Sequence, residues 1–509
     1  MKKILLVFGL LASLQSVYAQ SYEVKWSPTK KMDQGYAGFF DIIDVKSDHY
    51  FTLVRPKGKY SLLKYDLNHK LVSKKELDLT YKGKDLLFNK IIDTKKGKFG
   101  FMNFYDRKSK EWKIFKSSYN ENNFSKPEEV YSRKFEKKFK IALMVYAKNT
   151  DNDVNNIVVS KDKSKIAYSN LLFTKDLRTD DQLVIAVFDE NANLVWEKSH
   201  HLEYPDKKLT IVQTVVSNDG NVYLLGKFRL RKKVKGLPRF EYSVFKVSED
   251  KIQEYDVDIG TDLAPTDMTL YMPDANSANF VMAGFYTDSE RKSELKGIFF
   301  AKGDDTKGLH NIKIHKFQPE FLEDLVSEKS IEEEVGLNES FNIDKPIHFT
   351  DGSLGFIAEN YFVTTITRMS GNGDMRVSEF YNSNSIVIPR FTTDGDLIDI
   401  QKIPKEFRSF LPGYTSYAYA VSDEKVILVF NDFKNKEERK EKKGKKRSVY
   451  TDLVAIDLDS GKINFNKTLF NSTQTELDFN FNIFDFNNEY LLIGAKGKKK
   501  YSIGKIELK

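Results

Sequence analysis

The chain contains no cysteine. That excludes disulfides, cysteine–zinc sites, thiol nucleophiles and a lipid-modified N-terminal cysteine together. After residue 19 there is no apolar run approaching the ~18 residues that a membrane-crossing helix needs, so no transmembrane span is expected. The histidines (His49, His69, His200, His201, His310, His315 and His348) are scattered, and none belongs to an H-E-x-x-H pair. His200 and His201 are adjacent on an expected strand and point to opposite faces, so they do not read as a shared metal site. G-x-S-x-G is missing, and Gly352–Gly355 reads as a turn leading into a strand rather than a nucleophile elbow. Gly371–Gly373 lacks a third glycine and a following helix, and reads as a loop tip.

What is present is a core-forming composition. Of 509 residues, 40% are hydrophobic, 13% aromatic and 30% charged, which excludes disorder over most of the length. Net charge is +8. Met1–Ala19 carries Lys2 and Lys3, an apolar stretch Ile4–Leu14, and Val17 and Ala19 placed as a cleavage site, so it reads as a signal peptide. Its removal would leave Gln20 first, +6 in net charge, and a protein in the periplasm or outside the cell.

A β-rich run, a short polar turn and a second β-rich run recur eight times: Phe40–Pro56, Asn89–Tyr105, Ile157–Phe173, Thr210–Phe228, Met268–Tyr286, His348–Tyr361, Tyr417–Phe433 and Asn482–Gly497. Between them lie second hairpins such as Ser61–Leu77, Leu183–Leu202, Ile386–Ile403 and Leu453–Leu469, with a looser copy at Tyr242–Ile259. Their tips hold Asn, Asp, Gly or Ser, which tolerate left-handed φ or bond their own backbone. Each unit is therefore four strands. Four-stranded units in this number are the signature of a β-propeller, an all-β ring in which each sheet buries both faces against its neighbours. Gly226, Gly284 and Gly494 recur near the ends of second strands, where close approach is expected. The last unit has only three strands, so Tyr22–Trp26 is expected to complete it and close the ring. The count is eight blades; seven results if Phe40–Leu79 and Phe88–Phe135 are arranged differently.

Ser160–Asn170, SKDKSKIAYSN, resembles the WD40-like repeat of periplasmic TolB-type propellers: Ser160, Asp162, Ile166, Ala167 and Tyr168 match, while Ser164 stands in the usual glycine place. It also lies near the Asp-box of sialidase propellers, without the trailing glycine and tryptophan. The resemblance implies fold and compartment over eleven residues, not activity.

Insertions into such a ring are where partners meet it. Pro319–Leu337 reads as one amphipathic helix, with an apolar stripe of Phe321, Leu322, Leu325 and Val326 followed by Ile331 and Val335, and an acidic outer face. Its sharp reading is a partner-docking helix or lid; its plain reading is a solvated helix across a rim. Residues 227–239 form a basic loop with Lys227, Arg229, Arg231, Lys232, Lys233, Lys235 and Arg239. Residues 434–447 form a charged, flexible loop. Basic loops suit an acidic partner, an anionic glycan or lipid headgroups. No nucleic-acid motif accompanies them. Asp151, Asp153 and Asn155 partly imitate a calcium loop, but Asn156 stands where glycine is needed, and an Asx-rich turn is the simpler reading. No catalytic residue, cofactor or resident metal is expected. The resulting expectation is a non-enzymatic, exported platform binding an envelope or extracellular protein. A carbohydrate-binding or carbohydrate-hydrolysing propeller is the alternative, since carboxylate pairs are recognised only in space.

Overall fold

The computed structural model describes residues 22–27, 30–31, 40–55, 59–134, 156–172, 181–202, 204, 207–230, 240–272, 280–288, 294–323, 325–333, 336–338, 340–369, 375–410, 415–422, 424–433, 449–471, 476–477, 484–486, 489–495 and 500–508. They form a β-propeller. Seven blades are each made from one continuous stretch of chain. Blade 1 pairs Phe40–Val45, His49–Val54, Ser61–Asp66 and Leu71–Glu76, and blade 2 pairs Leu87–Thr94, Gly97–Asp106, Glu111–Asn120 and Glu128–Lys134. Blades 3 to 7 start at Asn156, Lys207, Leu263, Phe341 and Tyr417. That is the alternative count of seven, not eight; a further sheet, assembled from both ends of the chain, closes the ring. In it, Tyr22–Trp26 runs antiparallel to Lys500–Leu508, which pairs with Glu489–Ala495.

The closure expected from the isolated N-terminal strand is therefore present, with Tyr22 opposite Leu508 and Trp26 opposite Gly504. Gly504 is needed there, because a Cβ would meet the Trp26 ring at 2.7 Å. Ser27 locks the corner: its N–H donates to Ile503 O (2.8 Å), and its Oγ accepts from Ile503 N–H (2.9 Å).

Burial follows radius. Middle strands such as Phe280–Asp288 are buried almost throughout, whereas the outer strand Leu71–Glu76 is wholly exposed. A sheet covered on both faces needs continuous apolar strands, and only its outer strand can carry charge. Apolar clusters link each sheet to the next around the ring. Phe101 and Ile114 of blade 2 meet Tyr168 and Phe188 of blade 3, and Ile503 of the closing sheet meets Ile42 and Tyr50 of blade 1. Gly226 is a close-approach position, since a Cβ would lie 2.8 Å from both Leu209 and Phe245.

Five first strands carry β-bulges, at Ile42/Asp44, at Asn89, and at Ile211/Gln213, Pro265/Asp267 and Ile343/Lys345. A bulge re-aims the side chain beside it. Gln213 Oε1 accepts from Leu270 N–H (2.7 Å) and Asp267 Oδ2 from Ile343 N–H (2.7 Å), each tying one blade to the next.

The insertion after blade 5 departs from expectation. Instead of one helix over 319–337 there are two short ones, α1 (Pro319–Leu322) and α2 (Glu328–Glu332). Glu323 turns extended (φ −51°, ψ 138°), and Ser327 opens α2 by accepting from Ser330 N–H at 3.2 Å. Lys402 Nζ reaches the carbonyls of Glu320, Phe321 and Glu323 at 3.2 Å each, holding the break. A continuous helix would also have stacked like charges at i, i+4 spacing.

Candidate functional site

Antiparallel order divides the ring into two unlike faces. Connections between first and second strands, and between third and fourth, leave one face. Those between second and third strands, and between blades, leave the other. The first, a turn face, is closed by its own hydrogen bonds. In Ser160–Asn170, Asp162 Oδ1 accepts from Ser160 Oγ (2.7 Å), Ser164 N–H (3.0 Å) and Ser164 Oγ (2.8 Å), and Lys95 Nζ lies 2.9 Å from Oδ2. Burial works to raise the Asp162 carboxyl, but these donors hold it well below the usual range. The left-handed residue is Lys163 (φ 60°), which explains how Ser164 can stand in the glycine place and contribute a hydroxyl.

Basic side chains bracket the outer turns of successive blades. Lys116 Nζ reaches Asn191 O (3.0 Å), Lys246 Nζ reaches Asp305 (2.5 Å), and Lys302 Nζ reaches Asp394 (3.0 Å). Arg390 Nε donates to Ser353 Oγ (2.7 Å), and its Nη2 donates to Asp351 Oδ2 (2.8 Å) and Asp459 O (3.1 Å). The motif that carried the family resemblance is thus part of a structural seam.

Among the described residues, the second, connection face carries the helical insertion after blade 5 and the longest hairpin. Its most extensive described feature is an arm. The second and third strands of blade 6, Leu354–Met369 and Met375–Phe391, run 16 and 17 residues, against 9 for the second strands of blades 5 and 7. The fourth strand, Leu397–Ser409, stops opposite Tyr381, so beyond that pair the hairpin is two-stranded. At ~3.4 Å per residue, the described part beyond that pair, Thr364–Met369 against Met375–Phe380, is about 20 Å long. Directly paired residues share a face: Val363↔Tyr381, Thr365↔Glu379, Thr367↔Val377 and Met369↔Met375. That face is bare, with Val363, Val377, Met375 and Met369 exposed by 48%, 63%, 72% and 76%. The opposite face is partly covered: the Arg408 guanidinium stacks 3.7 Å from the Phe380 centroid, and Phe410 packs on the same ring at 4.2 Å.

A buried polar cluster anchors the root of this arm. Lys405 is inaccessible, and its Nζ donates to Glu359 Oε1 (2.5 Å), Ser383 Oγ (2.6 Å), Thr415 O (2.7 Å) and Ser416 O (2.9 Å). Ser383 Oγ also donates to Glu359 Oε1, and Ser416 Oγ to Oε2 at 3.0 Å. Burial lowers the Lys405 pKa, opposed by Glu359. Beside it Tyr417 OH donates to Asp344 Oδ2 (2.8 Å), and burial together with Asp344 raises the phenol far above its ordinary value. A serine, lysine and glutamate in contact resemble a nucleophile with its base, but Ser383 and Lys405 side chains are sealed from solvent, so the cluster acts as an anchor.

The sequence-derived candidates do not converge on one site. Leu322 is buried, and Phe321, Leu325 and Val326 pack partly buried against the core between blades 5 and 6, so most of that stripe is already covered by the chain itself. Its carboxylates Glu320, Glu323, Glu328, Glu332 and Glu333 stay exposed. Arg229 is exposed on a strand of blade 4, while Lys227 Nζ sits 4.3 Å over the Phe240 ring. Arg231, Lys232, Lys233, the loop 434–447, the calcium candidates Asp151, Asp153 and Asn155, and the segment Met1–Ala19 lie outside the described residues. Among the described residues no group of three potential ligands could hold a metal ion. None of their helices is long and apolar enough to cross a membrane. A cavity of about 340 Å³ lies at the outer rim, lined by Phe317, Phe321, Leu397, Ile400, His315 and Lys402, with Glu320 as its one carboxylate. That is not the facing pair of a glycosidase.

The arm and its anchor were missed from sequence. The signal was available: the sixth-to-seventh repeat spacing is long, and FVTTITRM and MRVSEFY, on either side of a Gly-Asn-Gly tip, alternate as strands do.

No family model matches this chain, and no curated protein matches it. It is similar to the solved WD40 domain of SCAP from fission yeast (11% identity, TM-score 0.38, 95% of this chain and 98% of that one). It is also similar to the β-propeller domain of the Trilobed protease from Pyrococcus furiosus (9% identity, TM-score 0.37, 86% and 99%). A prolyl endopeptidase structure matches at 11% identity and TM-score 0.39 over 94% of this chain, which spans only 55% of that protein. It is the chain's own strand order that makes it a β-propeller.

Proposed function

We propose that this chain is an exported, non-enzymatic β-propeller that serves as a protein-interaction platform in the cell envelope, with the connection face as its working surface. The observation that supports this most directly is the contrast between the faces. One is consumed by inter-blade hydrogen bonds, and the other carries a bare-faced arm held by a buried lysine. Exposed apolar residues scattered singly need no explanation, whereas contiguous ones on a rigid support mark an interaction surface. The docking surface is the shaft of the arm, Val363, Thr365, Thr367 and Val377, with the exposed carboxylates of α1 and α2 and the exposed Arg229 of blade 4 adding charge to the connection face. Export rests on Met1–Ala19.

The test is crosslinked capture from the native envelope, comparing the whole chain with a variant in which residues 363–380 are replaced by a short turn. One stoichiometric protein, lost with the arm, is expected. Undiminished capture by the armless ring would refute the assignment of the surface, and enrichment of glycan without protein would refute the platform.

A further inference from the structure

One edge of the arm is left open by the path of the chain. The first strand of blade 6 covers Leu354–Met369 only as far as Asn360, which lies opposite Phe341. Beyond it, Tyr361 N–H donates to Ser340 O (2.9 Å), and Tyr361 O accepts from Asn342 Nδ2 (3.3 Å). Upstream of Ser340 the chain turns away. Asn338 Oδ1 accepts from Ser340 N–H (3.0 Å) and Oγ (2.7 Å), and Leu337–Asn338 pairs with Glu294–Leu295 after the second strand of blade 5.

Backbone groups alternate in direction along an antiparallel strand. Tyr361 points its N–H and C=O to the open side, so Val363, Thr365 and Thr367 do too. Among the described residues, none of these three has a hydrogen-bond partner on that side. An open edge is normally blunted by charge or proline. The outermost strands of blades 1 and 5 follow that rule, with Lys74 and Lys75 in one and Lys313 and Lys316 in the other. Residues 361–367 read YFVTTIT, without charge or proline and with five β-branched side chains. Such an edge is composed to accept a strand.

The foot of the edge defines which strand. Helix α2 ends at Glu332, eight residues before Ser340, and its Ile331 packs against the apolar cluster that holds Leu337 and Phe341. The Glu328 and Glu332 carboxylates of that helix are exposed. A strand added antiparallel to residues 361–367 prolongs the first strand of blade 6 backwards, so its C-terminal end arrives beside α2.

We propose that the arm takes up its partner by strand addition. An extended segment of the partner protein, apolar or β-branched at alternate positions and ending in basic residues, pairs antiparallel with residues 363–367. Its basic end then meets Glu328 and Glu332. This rests on the reading of the arm as the docking surface and specifies what docks there.

The probe is a labelled ten-residue peptide of alternating threonine and valine that ends in two lysines, titrated with the full chain and followed by fluorescence anisotropy. Saturable binding is expected, and loss of binding when proline replaces a central valine of the peptide. Thr365→Pro removes one outward N–H, leaves the pairing with Met375–Phe391 in place, and should weaken binding at least about tenfold. Glu328→Lys with Glu332→Lys should weaken it about three- to tenfold and make a peptide ending in two glutamates the tighter binder. The exchanged side chains are exposed, so unchanged circular dichroism and melting identify a real binding effect. No binding overturns the proposal, as does binding that neither Thr365→Pro nor the charge reversal alters. Self-association of the parent chain that Thr365→Pro abolishes also overturns it, since the edge then serves a second copy. If the peptide does not bind but envelope capture still needs the arm, this inference alone falls. Peptide binding blocked by Thr365→Pro, with capture undiminished in the armless ring, supports strand addition and removes only the assignment of the envelope partner to the arm.

Discussion

Replacing Lys405 by methionine tests whether the root of the arm is held electrostatically. Methionine keeps much of the stem and its place near the Phe430 ring, where Lys405 Nζ lies 5.4 Å from the centroid. What is lost is one ammonium and its donors to Glu359, Ser383, Thr415 O and Ser416 O. Glu359, 5% exposed, keeps only hydroxyl partners for a full negative charge. Breaking a buried pair from one side costs ~3–5 kcal/mol. Lys405→Met should therefore lower unfolding stability by about 4 kcal/mol in urea titration at pH 7, and Lys405→Met with Glu359→Gln should recover at least about half of that. Amide exchange should quicken around Ser383 before it does in distant blades. The pH profile supplies a second reading. Burial lowers the folded-state pKa of Lys405, so the native state releases this proton before the unfolded chain does. Stability contributed here is at its minimum below the folded value and rises with pH until the unfolded value of ~10.4 is passed. The methionine variant should lack that rise. A loss under about 1 kcal/mol, or no recovery in the double variant, would refute the view that this ion pair anchors the arm.

Two further outcomes follow from the seams between blades. Arg390→Ala removes the donors to Ser353, Asp351 and the carbonyls of Asp459 and Ser460, and should cost ~3 kcal/mol in the same urea assay, with the Asp351 carboxyl titrating higher by NMR. Asp267 is buried and its carboxyl is held above the ordinary range by burial, against Lys227 and the Ile343 N–H. Between the unfolded value of ~3.9 and the raised folded value, the native state keeps a proton that the unfolded chain has lost, so stability falls as pH rises through that window. Asp267→Asn keeps an acceptor for Ile343 N–H and should gain stability relative to the parent as pH rises above ~4; a constant difference would count against the assignment.

The ring was legible because its determinants are local. Polar tips such as Asp189–Asn193 and Asp457–Gly461 alternate with apolar strands, and Tyr22–Trp26 stands alone where the last unit lacks a strand. The propeller has seven continuous blades, the alternative count rather than the leading one of eight, and the expected closure is made by the sheet that joins the two ends. The helical insertion was legible in composition but not in continuity. Where Leu322, Leu325 and Ile331 meet the core between blades 5 and 6 is set by tertiary packing, which a helical stripe does not encode. The anchor was invisible because Glu359, Ser383, Lys405 and Thr415 come together from separated strands and a connection, and nothing in their spacing marks them. The arm was overlooked for a simpler reason: Thr364–Thr367 reads equally as loop or strand until its partner at 377–380 is recognised.

The closing sheet makes the order of synthesis matter. Blades 1 to 7 can each pair as soon as their own stretch has emerged, but Tyr22–Trp26, made before all of them, has its partner only when Lys500–Leu508 arrives. Joining ends so far apart in sequence carries a loop entropy of roughly 5–6 kcal/mol if the blades between are unformed, and far less once they have stacked into an arc. The blades thus serve as a template that brings the ends together. Until then the edge of Lys500–Leu508 is open to any free copy of Tyr22–Trp26, including one from another molecule. A chain cut between Met369 and Met375 and rejoined by a short linker from Leu508 to Tyr22 would make the closing pair a continuous hairpin and move that late, exchangeable step out to the arm.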